Sequence, residues 1–128
     1  MASLSKELWV DAENRPGTLA RVAACIKEIG VSIQGVGAWS EGSKSSFYVV
    51  TENNSTAGDA LKKAGVTCQE REVVTCTLPN RVGSLAECTK KIADAGVNID
   101  HCYVTANGSS ALLVIATNNN QKALGCCP

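Results

Sequence analysis

The sequence has few aromatic residues, no excess of either charge and no long apolar run. Aromatic side chains make up 4% of the 128 residues, and 12 Lys and Arg are balanced by 12 Asp and Glu. Without a broad basic field, binding to nucleic acid or to an anionic membrane surface is not expected. The longest clear apolar run, residues 111–116, is far shorter than the ~20 residues of a membrane-spanning helix. The first residues show no signal-peptide core, so we expect a cytoplasmic protein.

Cysteine is frequent, but the spacings that are typical of metal and redox motifs are missing. None of the seven cysteines lies in a C-x-x-C pair, so the common zinc and thioredoxin patterns are absent. The adjacent Cys126 and Cys127 leave soft-metal binding or oxidation open. No nucleophile is paired with a base, and there is no phosphate-loop motif. We therefore expect no catalytic residues, no metal site and no cofactor, and hence not an enzyme.

An internal repeat with an offset of 66 residues organises the chain. The segment NRPGTLA at residues 14–20 returns as NRVGSLA at residues 80–86, and 13 of the 40 positions in residues 14–53 are identical in residues 80–119. Unrelated segments would share roughly 2 or 3 positions. The repeat predicts two domains, residues 1–71 and residues 72–128.

Both copies predict the element order β-α-β-β-α-β. Strands are expected at residues 7–11, 31–39, 46–51 and 66–70, and at residues 73–78, 97–105 and 111–116, with residues 66–70 running almost directly into residues 73–78. Thr18 and Ser84 are predicted helix N-caps, Ser84 and Glu87 fit a capping box, and glycines end the first helices at Gly30 and Gly96. The fold class is α+β, with two tandem ferredoxin-like units whose antiparallel sheets carry both helices on one face.

The second copy is predicted to be truncated. By the offset Pro128 corresponds to Lys62, so the counterpart of the strand at residues 66–70 is missing. Residues 73–78 would then have an unpaired edge. The strand that ends the first copy could shield this edge, another chain could pair with it, or the tail could be altered. An exposed edge favours self-association, which predicts a homodimer.

The most strongly repeated element is the loop between the first strand and the first helix. Glycine allows close backbone approach there, and the free N–H groups and positive dipole end of the helix suit a carboxylate. The alternative is that Pro16 and Gly17 only form the turn, while Thr18 and Ser84 only cap the helices.

These loops carry a resemblance to a known family. Residues 13–20 with residues 28–33, and residues 79–86 with residues 95–99, resemble the ACT domain, and the closest group is the small free-standing proteins with two ACT domains. The resemblance implies a non-catalytic regulatory protein that binds amino acids or similar small ligands at interfaces between ACT units. It also implies a homodimer and a regulated partner, an enzyme or a transcription factor. A ligand-free interaction module and a small metal or thiol carrier remain as alternatives.

The resemblance also implies the binding residues, because in the family a glycine loop faces the start of the second strand of a neighbouring unit. One site would combine the loop with a strand of the second copy: Asn14, Arg15, Pro16, Gly17, Thr18 and Leu19 with Val97, Asn98 and Ile99. The reciprocal site would comprise Asn80, Arg81, Gly83, Ser84 and Leu85 with Val31, Ser32 and Ile33. Backbone N–H groups would bind the ligand carboxylate, and Asn98 or Ser32 with strand carbonyls would bind the ammonium group.

Some positions differ between the copies. Asp11 and Glu13 correspond to Thr77 and Pro79, so the two sites need not bind alike, and Val82 stands where the first loop has Pro16. We expect Leu19, Val97 and Ile99 to belong to the core rather than to a ligand slot. Three cysteines replace valines of the first copy and are expected to behave as small hydrophobic residues: Cys76, Cys88 and Cys102.

Overall fold

A computed structural model describes residues 2–128 of the chain. Its elements, in order, are β1 (Ala2–Glu13), α1 (Thr18–Glu28), β2 (Ile33–Glu41), β3 (Lys44–Thr51), α2 (Asn54–Lys63), β4 (Thr67–Pro79), α3 (Ser84–Asp94), β5 (Ile99–Asn107), β6 (Ser110–Thr117) and α4 (Asn120–Leu124). They form two compact units, the N-terminal unit (residues 6–71) and the C-terminal unit (residues 2–5 and 72–128). Within residues 2–128, no helix is both long and apolar enough to cross a membrane.

The N-terminal unit is ferredoxin-like. Its strands are ordered β2-β3-β1-β4, and β3 is antiparallel to both β1 and β2. Alternate side chains of β1 and β3 form the core together with residues of α1 and α2: Leu8, Val10, Phe47, Val49, Val22, Ile26, Ala57 and Leu61. Because successive side chains of a strand point to opposite faces, this shared core places both helices on one face of the sheet, as predicted.

The C-terminal unit repeats this arrangement. Its strands are ordered β1-β4-β6-β5, with β6 antiparallel to both β4 and β5. Its core uses the positions 66 residues further along the chain: Val74, Cys76, Leu113, Ile115, Cys88, Ile92 and Ala123. The two units therefore confirm the predicted pair of ferredoxin-like folds.

The start of β1 completes the C-terminal unit. Among the described residues no strand follows α4, and β1 is the hydrogen-bonded neighbour of β4. In this unit the Oγ atoms of Ser3 and Ser5 lie 3.1 and 2.8 Å from Thr75 Oγ1, and Ala2 packs against the core. None of the three explanations considered for an open edge is therefore right. The strands are longer than predicted, with 12 residues in β1 and 13 in β4, so each contributes to both units.

The element boundaries differ from the predictions in detail. The strands at residues 66–70 and 73–78 do merge into one, β4. However, β2 and β5 begin two residues later than predicted, at Ile33 and Ile99. The residues before them are bound elsewhere, because the N–H groups of Ser32 and Asn98 donate to the side chains of Glu52 and Asn118.

The predicted helix C-termini are confirmed. Gly30 and Gly96 follow α1 and α3 with φ angles of +71° and +76°. The N–H of Gly30 donates to Lys27 O at 2.9 Å, and that of Gly96 donates to Ala93 O at 2.9 Å. These bonds satisfy carbonyl groups that the helix itself leaves without donors.

Two of the three cysteines that replace valines are core residues. Cys76 and Cys88 are 1% and 3% exposed, as expected for small hydrophobic side chains. The prediction is wrong for Cys102, which is exposed. It lies on β5, at the end of the strand order of its unit, and its counterpart Val36 on β2 is also 42% exposed.

Candidate functional site

Each unit carries a glycine loop between a long strand and the following helix. Residues 14–17 join β1 to α1, and residues 80–83 join β4 to α3. Gly17 and Gly83 have φ angles of +88° and +90°, a left-handed conformation that other residues rarely adopt. A Cβ atom on Gly17 would have no neighbour within 4 Å. The backbone conformation, rather than crowding, therefore requires glycine at this position.

The asparagine that opens each loop holds it against a hairpin turn. Asn14 donates from its backbone N to Ser43 O at 2.9 Å and from Nδ2 to Gly42 O at 2.9 Å. Asn80 makes the same two bonds, to Ser109 O at 2.9 Å and to Gly108 O at 2.8 Å. The side-chain amides of Asn14 and Asn80 therefore fix the loops in place.

The helices that follow the loops begin without a side-chain cap. The N-caps of α1 and α3 are Gly17 and Gly83, and within residues 2–128 neither helix start has a side-chain cap hydrogen bond. By contrast, Asn53 and Asn119 cap α2 and α4 through their side chains. The glycine loops are thus followed by helix starts whose N–H groups have no side-chain acceptor.

The predicted capping by Thr18 and Ser84 is wrong. Both are the first residues of their helices, because the preceding glycines take the cap position. Thr18 Oγ1 donates back to Glu13 O and Arg15 O, at 3.1 and 3.0 Å. Ser84 Oγ is buried and has no hydrogen-bond partner among the described residues 2–128. The capping box fails as well, since the carboxylate of Glu87 bonds to Arg81 instead.

The two loops differ in their charges. Arg15 Nη1 lies 3.2 Å from Glu13 Oε2, whereas Arg81 makes a two-pronged contact with Glu87, at 3.2 and 2.9 Å. The hydrogen bond and the charge of Arg81 lower the pKa of the Glu87 carboxyl, and the same contacts raise the pKa of Arg81. At the position of Glu87, the first helix has Arg21. The second loop thus holds a carboxylate of its own, and the first holds an additional cation.

A cleft of about 810 Å³ lies beside the first loop, within the N-terminal unit. Arg21 reaches across part of it, donating from Nη2 to Ala64 O at 3.1 Å. The cleft contains cations, carboxylates and hydroxyls, a mixture that suits a zwitterionic ligand. Its lining residues are Asp11, Ala12, Glu13, Asn14, Arg15, Thr18, Arg21, Val22, Ser43, Lys44, Ser45, Ser46, Gly65, Val66 and Thr67.

The other half of each predicted site lies before β2 and before β5. Ser32 and Asn98 accept, through their carbonyls, from the N–H groups of Glu52 and Asn118 at 3.1 Å each. The Asn98 amide donates to Asp100 Oδ1 at 3.1 Å. Among the flanking residues, Val97 belongs to the core, Val31 and Ile99 pack against the cores, and Ile33 is 38% exposed.

Within one unit, the loop and the strand start lie at opposite ends of a helix. Both α1 and α3 have 11 residues, which corresponds to a length of about 16 Å. Neither unit by itself therefore brings its own loop and its own strand start together. Leu19 and Leu85 are 42% and 40% exposed beside the loops, so the expectation that Leu19 belongs to the core is wrong, whereas Val97 and Ile99 do pack in or against the core.

Several residues of the cleft were missed by sequence reasoning. Arg21 and Lys44, with the serines beside Lys44, line the cleft but are not among the predicted site residues. A signal for Arg21 exists in the repeat, since the offset pairs it with Glu87 and so reverses the charge beside the loop. The serines show no such signal, because their position depends on how the hairpin folds against the loop.

The paired units and their matching loops define a tandem ferredoxin-like protein, and comparison with known proteins agrees. The family described as "ACT domain pair" matches residues 4–126. The chain therefore belongs to the ACT domain pair family, whose domains are regulatory, ligand-binding modules. No curated protein sequence matches the chain.

Solved structures show the same fold. A crystal structure of a Bacteroides thetaiotaomicron protein superposes with a TM-score of 0.90 at 24% identity, covering 98% of this chain and 87% of the other. The ligand-free regulatory subunit of aspartate kinase from Thermus thermophilus gives 0.75 at 15% identity, with coverages of 98% and 93%. The corresponding subunit from Thermus flavus gives 0.68 at 16% identity, again covering 98% and 93%. At these identities the likeness concerns the fold.

Proposed function

We propose that this chain is a non-catalytic regulatory protein that binds a free amino acid at interfaces between ACT units and passes its occupancy to a partner. The observation that carries the proposal is the uncapped helix start behind a left-handed glycine, which occurs twice in matching geometry. Such helix starts present N–H groups and a positive dipole end to an anion. Membership of the ACT domain pair family supports the same function.

In this proposal the ligand carboxylate binds at the start of a helix, and the rest of the ligand lies against the strand start of a neighbouring unit. The loop of the first site supplies Asn14, Arg15, Pro16, Gly17, Thr18 and Leu19, facing Val97, Asn98 and Ile99. The second site pairs Asn80, Arg81, Gly83, Ser84 and Leu85 with Val31, Ser32 and Ile33. Because Asn14 and Asn80 are engaged by the hairpin turns, their part is to position the loops.

We propose further that the first loop is the stronger site. Arg21 adds a cation beside it, and the cleft there has the volume for a small ligand. At the second loop the carboxylate of Glu87 already pairs with Arg81 and lies 3.8 Å from the place that a Cβ on Gly83 would take. A ligand carboxylate would therefore meet a like charge there.

A thermal-shift panel of the twenty amino acids tests this function. We expect one or a few of them to raise the midpoint of unfolding, increasingly so at higher ligand concentration, since a ligand at 100 times its Kd stabilises by about 2.7 kcal/mol. Two charge-exchange variants make the loops resemble each other. Arg21→Glu should weaken binding about tenfold or more, whereas Glu87→Arg should leave binding at the first loop intact.

The same panel separates the alternatives. If no amino acid stabilises the folded chain, the ligand-free interaction module is favoured and the proposal fails. If both variants weaken amino-acid binding equally, or if neither weakens it, the preference for the first loop is contradicted. Binding of metal by the reduced protein, measured by elemental analysis after dialysis, would favour the metal or thiol carrier.

We also propose that the chain forms a homodimer and regulates an enzyme or a transcription factor. Because β1 covers the edge of β4, that edge no longer argues for self-association. However, β2 is the edge strand of the N-terminal unit, and it carries three exposed apolar side chains, Ile33, Val36 and Trp39. Light scattering coupled to size-exclusion chromatography should give twice the chain mass of 13.3 kDa. A Val36→Lys variant should then be monomeric, and a wild-type monomer at high concentration would refute the dimer.

A further inference from the structure

Three thiols meet in the core of the C-terminal unit. Cys76 lies on β4, Cys88 on α3, and Cys127 just beyond the end of α4. The Sγ atoms of Cys88 and Cys127 are 3.9 Å apart, and Cys76 Sγ lies 3.9 Å from the carbonyl oxygen of Pro128, the residue after Cys127. Among residues 2–128, no group of side chains has the arrangement of a metal site. Two thiols in contact can be oxidised to a disulfide.

The repeat shows that packing alone does not require these thiols. By the offset of 66, the three cysteines stand where the first copy has Val10, Val22 and Leu61, which are all core residues of the N-terminal unit. Hydrocarbon side chains thus fill the same three positions in one unit. The thiols add a reactivity that the corresponding place in the N-terminal unit lacks.

We propose that Cys88 and Cys127 form a reversible disulfide that fastens the C-terminal residues 125–128 to α3. A disulfide bond is about 2.05 Å long, so the two sulfur atoms must approach each other by about 2 Å. Cys127 lies beyond Leu124, the last residue of α4, and its N–H donates to Leu124 O over a long 3.4 Å. Closing the bond requires rotation of the two side chains and adjustment of this last turn.

The reaction needs an oxidant, for which we name a low-molecular-weight disulfide such as oxidised glutathione. One protein thiol loses its proton and attacks the oxidant, which forms a mixed disulfide and releases one glutathione thiol. The second protein thiol then displaces the other glutathione. Two S–H bonds are lost, one S–S bond forms in the protein, and the two electrons reduce oxidised glutathione to two thiols.

The surroundings make this reaction slow at neutral pH. Burial, followed by the nearby Cys88, raises the pKa of the Cys127 thiol to about 12, and burial also raises the pKa of Cys76. Because the thiolate is the attacking species, the reaction rate should rise about tenfold per pH unit between pH 7 and pH 9. Cys126, the residue before Cys127, is half-buried, and its thiol donates to Lys122 O, as the Cys127 thiol does to Ala123 O.

The test is oxidation of the reduced chain, residues 1–128, by oxidised glutathione at pH 7 and pH 9, followed by peptide mass mapping. Cys102→Ser serves as the background in every sample, because this exposed thiol can link two chains. We expect a peptide pair joined through Cys88 and Cys127, formed about 100-fold faster at pH 9. The link closes a loop of about 40 residues, so the midpoint of thermal unfolding should be roughly 5–15 °C higher in the oxidised than in the reduced protein. Reduction with dithiothreitol should reverse this increase.

Matched variants identify the reacting pair. Cys127→Ser and Cys88→Val, the latter taking the residue that the first copy has at this place, should abolish the cross-link. Cys126→Ser should leave its yield unchanged. The proposal is overturned if oxidation gives only a Cys126–Cys127 bond, or if the folded chain stays reduced at pH 9 while an unfolded sample of the same chain is oxidised.

Discussion

Removing residues 1–5 is expected to weaken the C-terminal unit and to spare the N-terminal unit. Residues 2–5 pair with β4 in the C-terminal unit, where the Oγ atoms of Ser3 and Ser5 contact Thr75 and Ala2 packs against the core. The N-terminal unit begins only at residue 6. The truncation would therefore expose the edge of β4 that the C-terminal unit needs to cover.

The size of the effect follows from the bonds that are lost. A strand segment of this length makes two to four ladder bonds with its neighbour, each worth about 0.5–1.5 kcal/mol. We therefore expect a loss of about 2–4 kcal/mol in the local stability of the C-terminal unit. This loss corresponds to a roughly 30- to 700-fold increase in the opening equilibrium, because 1.4 kcal/mol is a factor of ten.

Hydrogen exchange followed by mass spectrometry measures both units in one sample. Peptides of β4 and β6 should exchange faster by that factor in the truncated chain, while peptides of β3 and α1 should keep their rates. Lys6→Ala is the matched control, since it removes only the exposed 3.6 Å contact with Glu70, worth about 0–1 kcal/mol. Unchanged protection of β4, or an equal loss in both units, would refute the assignment of residues 2–5 to the C-terminal unit.

Three further changes test the local structure. Gly17→Ala should lower the free energy of unfolding in urea by about 1–2 kcal/mol, since the φ of +88° at this position strains a residue with a Cβ atom. Gly17→Asn should lower it by less. Equal stability of both variants and the wild type would contradict this. Glu87→Gln should remove the stabilisation that the charged Glu87 provides. This stabilisation is full above about pH 5 and is lost as the pH falls through the pKa of Glu87, which lies below the ordinary value of 4.5. The same difference in stability between wild type and variant at pH 3 and at pH 7 would count against this. Asn119→Ala should cost about 1 kcal/mol in thermal unfolding, because its side chain accepts from Lys122 N; a neutral result would show that the cap contributes nothing.

Much of the fold could be predicted from the repeat. Two copies gave independent evidence for each helix and hairpin, and the glycines after α1 and α3 marked the helix ends. The offset of 66 also pairs Thr51 and Asn53 with the identical Thr117 and Asn119, but this identity alone does not predict what they do. In the structure Asn53 and Asn119 cap α2 and α4, while the N–H groups of Thr51 and Thr117 donate to Oδ1 of Asn54 and Asn120.

The use of β1 by both units could not be predicted, because it depends on pairing between segments about 70 residues apart. No local pattern distinguishes residues 2–5 from a tail, and the predicted strand began only at residue 7. The N-caps were wrong for a different reason. Serine and threonine are good caps in general, but here the left-handed glycine before them takes the cap position. The exposure of Cys102 likewise depends on its strand lying at an edge.

The most direct test of the proposed function is an NMR titration of the isotope-labelled chain with the amino acid that gives the largest thermal shift. We predict saturable shifts at the amide signals of Gly17, Leu19 and Ala20, larger than those at the corresponding residues 83, 85 and 86. Their size should fall in Arg21→Glu. Saturable shifts confined to other parts of the chain, or no saturation with any amino acid, would contradict binding at the first glycine loop.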